Sequence, residues 1–308
     1  MKKFQYIPIL TLAAVLSSCS LFGGAKAPKF SDEGYEVTYS EFCSRLSEAY
    51  DSSELSDPEA KLTDRLIKGS TSDVETIVVK RDRKEISKSE TTRSNKGEAQ
   101  FDVDNLVAKD TGESKYNMKG SDQQGSASYA ASSKTEYFYQ FSKISGQKYF
   151  ISANTKTKQY SLITQVITGQ KQENVFDEYL REASISLVDE FCSYIPKDSA
   201  AANDYLFYIK DDSLFTFSYT KEETNNYSDY VCKTKRKFKA QLDLTDKKQA
   251  FRFSNDINNE YTYKKDANGY KEGDVKTESM VYYKDFSVAS KNYNLSAVDI
   301  DNYLQYNL

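Results

Sequence analysis

From Val231 to Thr245 the sequence alternates so regularly that an extended chain accounts for it. Phe238, Ala240, Leu242 and Leu244 fall on one side; Lys233, Lys235, Lys237 and Lys239 fall on the other, because successive side chains of a strand point to opposite faces. At roughly 3.3 Å per residue such a strand reaches about 50 Å, and a strand of that length bends around a core. Its apolar face needs a helix or another layer against it.

Shorter runs of the same character fill much of the chain. Thr76-Ile77-Val78-Val79 is β-branched, residues 126–141 end in Tyr137, Tyr139 and Phe141, and Tyr149, Phe150 and Ile151 follow. Residues 205–209, 214–219 and 280–288, with Phe251 and Phe253, continue the pattern, which favours strands. Turn residues separate them: residues 142–147 around Gly146, Lys210-Asp211-Asp212-Ser213, Thr245-Asp246-Lys247-Lys248 and Asn268-Gly269, each a hairpin signal. Residues 110–125 are rich in Gly, Ser and Asp with few apolar anchors and read as a loop, or as turns between weak edge strands.

Two segments change period. Thr38-Tyr39-Ser40-Glu41 has the capping-box pattern ahead of Phe42, Leu46 and Ala49 or Tyr50, and predicts a helix over residues 39–50. Phe176, Leu180, Ala183, Leu187, Phe191 and Ile195 recur at three- and four-residue spacing before Pro196, and predict the strongest helix over residues 175–195. Glu41-Phe42-Cys43-Ser44 and Glu190-Phe191-Cys192-Ser193 are identical tetrapeptides, one on each helix.

The chemistry is limited by what is missing. The 308 residues contain no histidine, which removes imidazole-activated nucleophiles, imidazole metal ligands and the ordinary neutral-pH proton switch. Cys43, Cys192 and Cys232 are far apart and form no CxxC pattern, so neither a zinc site nor any other metal site is expected. Asp266, Asn268, Glu272 and Asp274 gather oxygens around a turn, but without the ligand order of an EF-hand. Ser145-Gly146-Gln147-Lys148 has SxxK spacing, in a hairpin turn and without companion motifs. No phosphate loop or dinucleotide fingerprint occurs. These absences leave no catalytic motif and no cofactor to expect, and a net charge of −4 argues against nucleic acid as a partner.

The chain begins Met1-Lys2-Lys3, continues with an apolar stretch over residues 6–16, and reaches Leu16-Ser17-Ser18-Cys19. The stretch is too short to span a hydrocarbon core of about 30 Å. The whole resembles a bacterial lipoprotein signal peptide, with Leu16, Ser17, Ser18 and Cys19 matching the lipobox. That resemblance implies cleavage before Cys19, a diacylglyceryl group on its sulfur, and residence on the extracytoplasmic side of a cell membrane. Residues 1–18 are then the signal peptide, residues 19–34 a lipidated flexible tether rich in small residues, and residues 35–308 the body, with an alternative split near residue 172. Outside the membrane a disulfide is permitted, and Cys43 with Cys192 is the pair to test.

The order of helix, antiparallel strands, long helix and long hairpins resembles LolA/LppX-type lipid-binding lipoproteins. The expected fold is α+β: a curved antiparallel sheet, or half-barrel, wrapped around one or two helices including a long central one. The alternative is two duplicated helix-plus-antiparallel-sheet units. The resemblance implies a non-enzymatic carrier of a hydrophobic or amphipathic ligand. Phe215, Phe217, Tyr219, Phe238, Leu242, Leu244, Phe251 and Phe253 are the candidate ligand-lining residues, and a solid core would use the same ones. Two other readings stay open: a surface interaction or structural lipoprotein with a filled core, and a carboxylate-based enzyme acting on glycans.

Overall fold

The computed structural model describes residues 28–52, 63–141, 147–154, 159–166, 172–245 and 248–292, together with residue 295. Twelve strands and two helices are present among them. The strands are β1 (Tyr35–Val37), β2 (Arg65–Arg81), β3 (Lys84–Asp102), β4 (Val107–Asp122), β5 (Gly125–Phe141), β6 (Gln147–Asn154), β7 (Gln159–Val166), β8 (Leu206–Lys210), β9 (Leu214–Asn226), β10 (Tyr230–Thr245), β11 (Lys248–Tyr263) and β12 (Val275–Ser290). Helix α1 spans Tyr39–Asp51 and α2 spans Gln172–Ser193.

All twelve strands belong to one antiparallel sheet in the order β1-β8-β9-β10-β11-β12-β2-β3-β4-β5-β6-β7. This overturns the α+β expectation. The described residues are mostly strand, and the two helices among them, of 13 and 22 residues, lie against part of one continuous sheet instead of being wrapped by a half-barrel. The duplicated-unit alternative fails as well, because β12 pairs with β2 along sixteen residues and fuses the two halves into one layer. The echo tetrapeptides serve one core: the Phe42 and Phe191 rings lie 6.4 Å apart.

The segment 110–125 is the second correction. It forms most of β4, an interior strand paired on both sides without a register shift. Ladder hydrogen bonds override the low strand propensity of Gly and Ser when both neighbours are in place. The other local expectations hold where residues are described. Thr38 caps α1, its Oγ1 accepting from Glu41 N at 3.2 Å. Asp211 and Asp212 both have positive φ in the β8–β9 turn, as does Asn268 before Gly269, matching hairpin turns of the primed type. The turns over residues 142–146 and 246–247, with the SxxK serine, lie outside the described residues.

Register shows how the core is placed. Ile209, Phe215, Leu242, Phe251 and Phe286 are paired neighbours in one row across β8 to β12. The row continues as Gly69, Gly97 and Gly112 across β2 to β4. The adjacent row runs Phe207, Phe217, Ala240 and Phe253, then turns polar at Lys284, Thr71, Asn95 and Ser114. Helix α2 crosses this face, contacting β10, β11, β12 and β5. Phe191 packs on Phe217 and Phe251 at 5.2 and 6.0 Å. Where apolar rows end, polar groups satisfy one another. Buried Lys284 ion-pairs with Glu190 of α2 beneath the Tyr194 ring, Asn95 donates to Thr71, and Ser114 donates to Asn95. Pairing is what makes such burial tolerable.

The expected tether also ends earlier than residue 34. Residues 30–34 dock on the helix-free face: Ser31 N donates to Gln241 Oε1 at 2.8 Å, and Gln241 Nε2 donates to Ser31 O at 3.2 Å. Asp32 pairs with Lys210 at 3.2 Å, and Glu33 pairs with Lys239. Gly34 has φ +87°, and a Cβ there would sit 2.2 Å from the Ile209 carbonyl oxygen. Only glycine permits this crossing.

Candidate functional site

The eight residues expected to line a ligand cavity are brought together, but as solid core. Phe215, Phe217, Leu242 and Phe251 are 0% exposed, and Phe253, Leu244 and Phe238 are 3%, 7% and 9% exposed. Phe238 touches Phe217, Tyr219 and Phe253 with ring centroids 5.1 to 5.4 Å apart. Their partners on the helix side are Phe42, Phe191 and Tyr194. Of the eight, Tyr219 borders a polar cleft of about 230 Å³ shared with Asp204, Tyr205, Lys221, Glu223, Thr234 and Arg236.

A larger concavity lies on the opposite face. It is an open trough of about 670 Å³ across β11, β12, β2, β3, β4 and β5. The register builds it from two neighbouring rows. One runs Arg252, Asp285, Ser70, Lys96, Glu113 and Lys134; the other runs Ser287, Lys68, Glu98 and Thr111. Gly69, Gly97 and Gly112 contribute bare backbone to its lining.

Its acids are already engaged. Lys68 holds Glu98 at 2.8 Å and Lys115 holds Glu113 at 2.7 Å, while Arg252 stands 4.0 Å from Asp285. Burial alone would raise the Glu98 carboxyl, but the hydrogen bonds from Lys68 and Gln100 outweigh it and hold the group below its ordinary range. The bond from Lys115 does the same for Glu113, with help from Lys134 and Lys96. Lys96 and Lys134 form no ion pair of their own among the described residues and are exposed. The trough therefore offers two free ammonium groups, flanked by hydroxyls and committed carboxylates, to an anionic or polar group. Gln241, which grips the docked N-terminal segment, stands in the same row and receives a 3.4 Å contact from Arg252. The segment thus lies at one end of the trough.

The comb of lysines on β10 is neutralised by its surroundings. Lys235 pairs with Glu222 and Lys239 with Glu33, and Glu260 and Asp256 stand directly across from Lys233 and Lys237. The oxygen cluster at residues 266–274 is spent on structure. Asp274 makes a two-pronged bond to Arg81 at 2.7 and 2.8 Å, and Asp266 accepts from Glu272 N. Among the described residues no group of His, Cys, Asp or Glu is placed to hold a metal ion, and no helix is long and apolar enough to cross a membrane. Cys43, Cys192 and Cys232 are free thiols in this structure. Cys19 lies outside the described residues.

Sequence reasoning found none of the trough residues. Each is an ordinary charged or hydroxyl residue on an alternating strand, and only the pairing register places Lys96 beside Glu113 and Lys134.

No protein-family model matches the chain, and no curated protein matches it in sequence. Among solved structures, the outer membrane protein OprG from Pseudomonas aeruginosa aligns over 74% of this chain and 96% of its own, at 6% identity and a TM-score of 0.21. The CymD monoaromatic hydrocarbon channel aligns over 85% of this chain and 95% of its own, at 6% identity and a TM-score of 0.16. The InvG secretin domain β-barrel from Salmonella aligns over 94% and 91%, at 10% identity and the same TM-score of 0.16. Scores of this size carry no argument about fold or function.

Proposed function

We propose that this chain is an extracytoplasmic lipoprotein without enzymatic chemistry, held to the cell membrane by acyl groups on Cys19, whose sheet is an interaction surface and not a lipid carrier. The observation that supports this reading is how the apolar side chains are used. The residues best suited to line a greasy cavity are packed against α1 and α2, so a hydrophobic ligand would have to displace core contacts. Meanwhile the opposite face offers a solvated trough with two unpaired lysines. The lipobox supports the anchor, and the docked segment at residues 30–34 supports a short connection. Phe30 lies eleven positions after Cys19, a reach of at most about 40 Å. The end of the trough beside the docked segment would stand within that distance of the membrane, and the trough would meet extended, anionic or zwitterionic envelope polymers.

The test has two arms. Growth with an alkyne-bearing fatty acid should label the wild-type chain, and Cys19→Ala should abolish the label; a labelled Cys19→Ala protein would remove the anchor. Native mass spectrometry of the gently purified chain should show the covalent acyl groups and no further lipid. A stoichiometric, non-covalently retained lipid would replace the interaction reading with the carrier one.

A further inference from the structure

Two strands of the sheet leave part of their length without a neighbour among the described residues. Strand β8 pairs with β9 only at residues 214–218, so residues 219–226 of β9 form an open edge. Strand β6 pairs with β5 only at residues 136–141, so residues 125–135 of β5 form another. The first edge carries Lys221, Glu222 and Glu223, charges of the kind that discourage strand addition. The second reads Gly-Ser-Ala-Ser-Tyr-Ala-Ala-Ser-Ser-Lys-Thr, with Lys134 as its one charge and no proline. No bulge twists it away, since its register against β4 runs unbroken from Gly125 to Gln140. Residues 126–130 are exposed. Every second residue of such an edge directs both its N–H and its C=O outward, a ready template for another strand.

We propose that this edge of β5 pairs antiparallel with the same edge of a second copy of the chain, joining two sheets into one about a two-fold axis at Ala130. The sequence argues for a self-partner. In that register Ala130 faces Ala130, Tyr129 faces Ala131, Ser128 faces Ser132 and Ser126 faces Lys134. The two long side chains, Tyr129 and Lys134, therefore each face a small residue, the remaining pairs are small against small, and the lone charge never meets its own copy. An acidic foreign peptide would find Lys134 as its single charged partner on this edge, whereas a second copy finds a matched backbone ladder about 30 Å long. Isologous pairing of this kind closes after two copies and does not propagate along the edge. Backbone pairing with little apolar burial makes a modest interface, so a dissociation constant of about 10–100 μM is expected.

Sedimentation velocity on the intact protein in mild detergent, over a concentration series, tests this. Wild type should pass from monomer to dimer. Ala130→Lys and Ala130→Glu, each placing like charges opposite one another, should each weaken the dimer by about tenfold, and mixing the two should restore it. Unchanged circular dichroism would show that the variants fold. In wild type, amide exchange over residues 126–133 should slow as concentration rises. A wild-type chain that stays monomeric through this range would overturn the proposal. Dimerisation indifferent to both substitutions would do so too, as would protection of these amides only when an unrelated peptide is added.

Discussion

At one end of the sheet, where β2 carries residues 65–73, both helices press on one face and aromatic rows run beneath them. At the other end, where β2 carries residues 74–81 and β5 residues 125–130, no helix among the described residues covers either face. There both alternating sets of β9 and β5 side chains are exposed, over residues 220–226 and 126–130. The bare end keeps its shape by other means. Tyr230, Tyr261, Tyr263 and Tyr270 form a ring cluster with centroids 4.5 to 5.8 Å apart, with Lys276 over two of them. Asp274, buried at the foot of the 264–274 loop, ties that loop to β2 through Arg81. The covered end is thus stabilised by area removed from water, the bare end by cross-strand side-chain pairs and continuous ladders.

The contrast breaks most readily at the core. Phe191→Ala removes a fully buried ring that touches Phe42, Phe217 and Phe251, and should cost about 3–5 kcal/mol in a urea melt. Tyr129→Ala, at a site 61% exposed on the bare end, should change stability by less than about 0.5 kcal/mol. Equal effects would mean the bare end is folded into the same cooperative core.

An intermediate effect is expected where the N-terminal segment crosses β8. Gly34→Ala forces a side chain into left-handed backbone and against the Ile209 carbonyl, a strain of about 1–2 kcal/mol before any clash. Amide exchange over residues 29–37 should accelerate while the Phe191 region stays protected. Unchanged exchange would show that the segment does not depend on this crossing.

The smallest effect is confined to the bare end and to acid. The hydrogen bond from Arg81 holds the Asp274 carboxyl below its ordinary range, assisted by the Lys271 amide. A carboxyl whose folded value is depressed contributes stability above its unfolded value, about 3.9, and loses it as pH falls through the folded value. Exchange in residues 264–274 should therefore rise below about pH 4 in wild type. In Asp274→Asn it should already be faster at neutral pH and show no such acid step.

Both helices, the β8–β9 and β11–β12 turns, and the two-faced character of β10 were legible in the sequence. Each is a local pattern: Thr38 before Glu41, positive-φ residues at 211–212 and 268–269, lysines alternating with Phe238, Ala240, Leu242 and Leu244. The strand at residues 107–122 was not legible, because Gly, Ser and Asp favour strand only when neighbours on both sides complete the ladder. The apolar octet was legible as a set, with lining and filling both open; seven of its members are buried core and Tyr219 packs against them. Side chains that line a cavity and side chains that fill one are the same in composition, and only the approach of Phe42, Phe191 and Tyr194 separates the two.

What the sequence determined by itself was the alternation, the Thr38 cap, the lack of histidine and the expectation of an acylated Cys19, since each depends on composition or on residues adjacent along the chain. The tertiary structure decided that β12 lies beside β2, that three glycines align across β2, β3 and β4, that Lys96 and Lys134 share one trough, and that one end of the sheet stands bare. Those outcomes depend on register between strands far apart in sequence, where a shift of one residue would exchange the two faces.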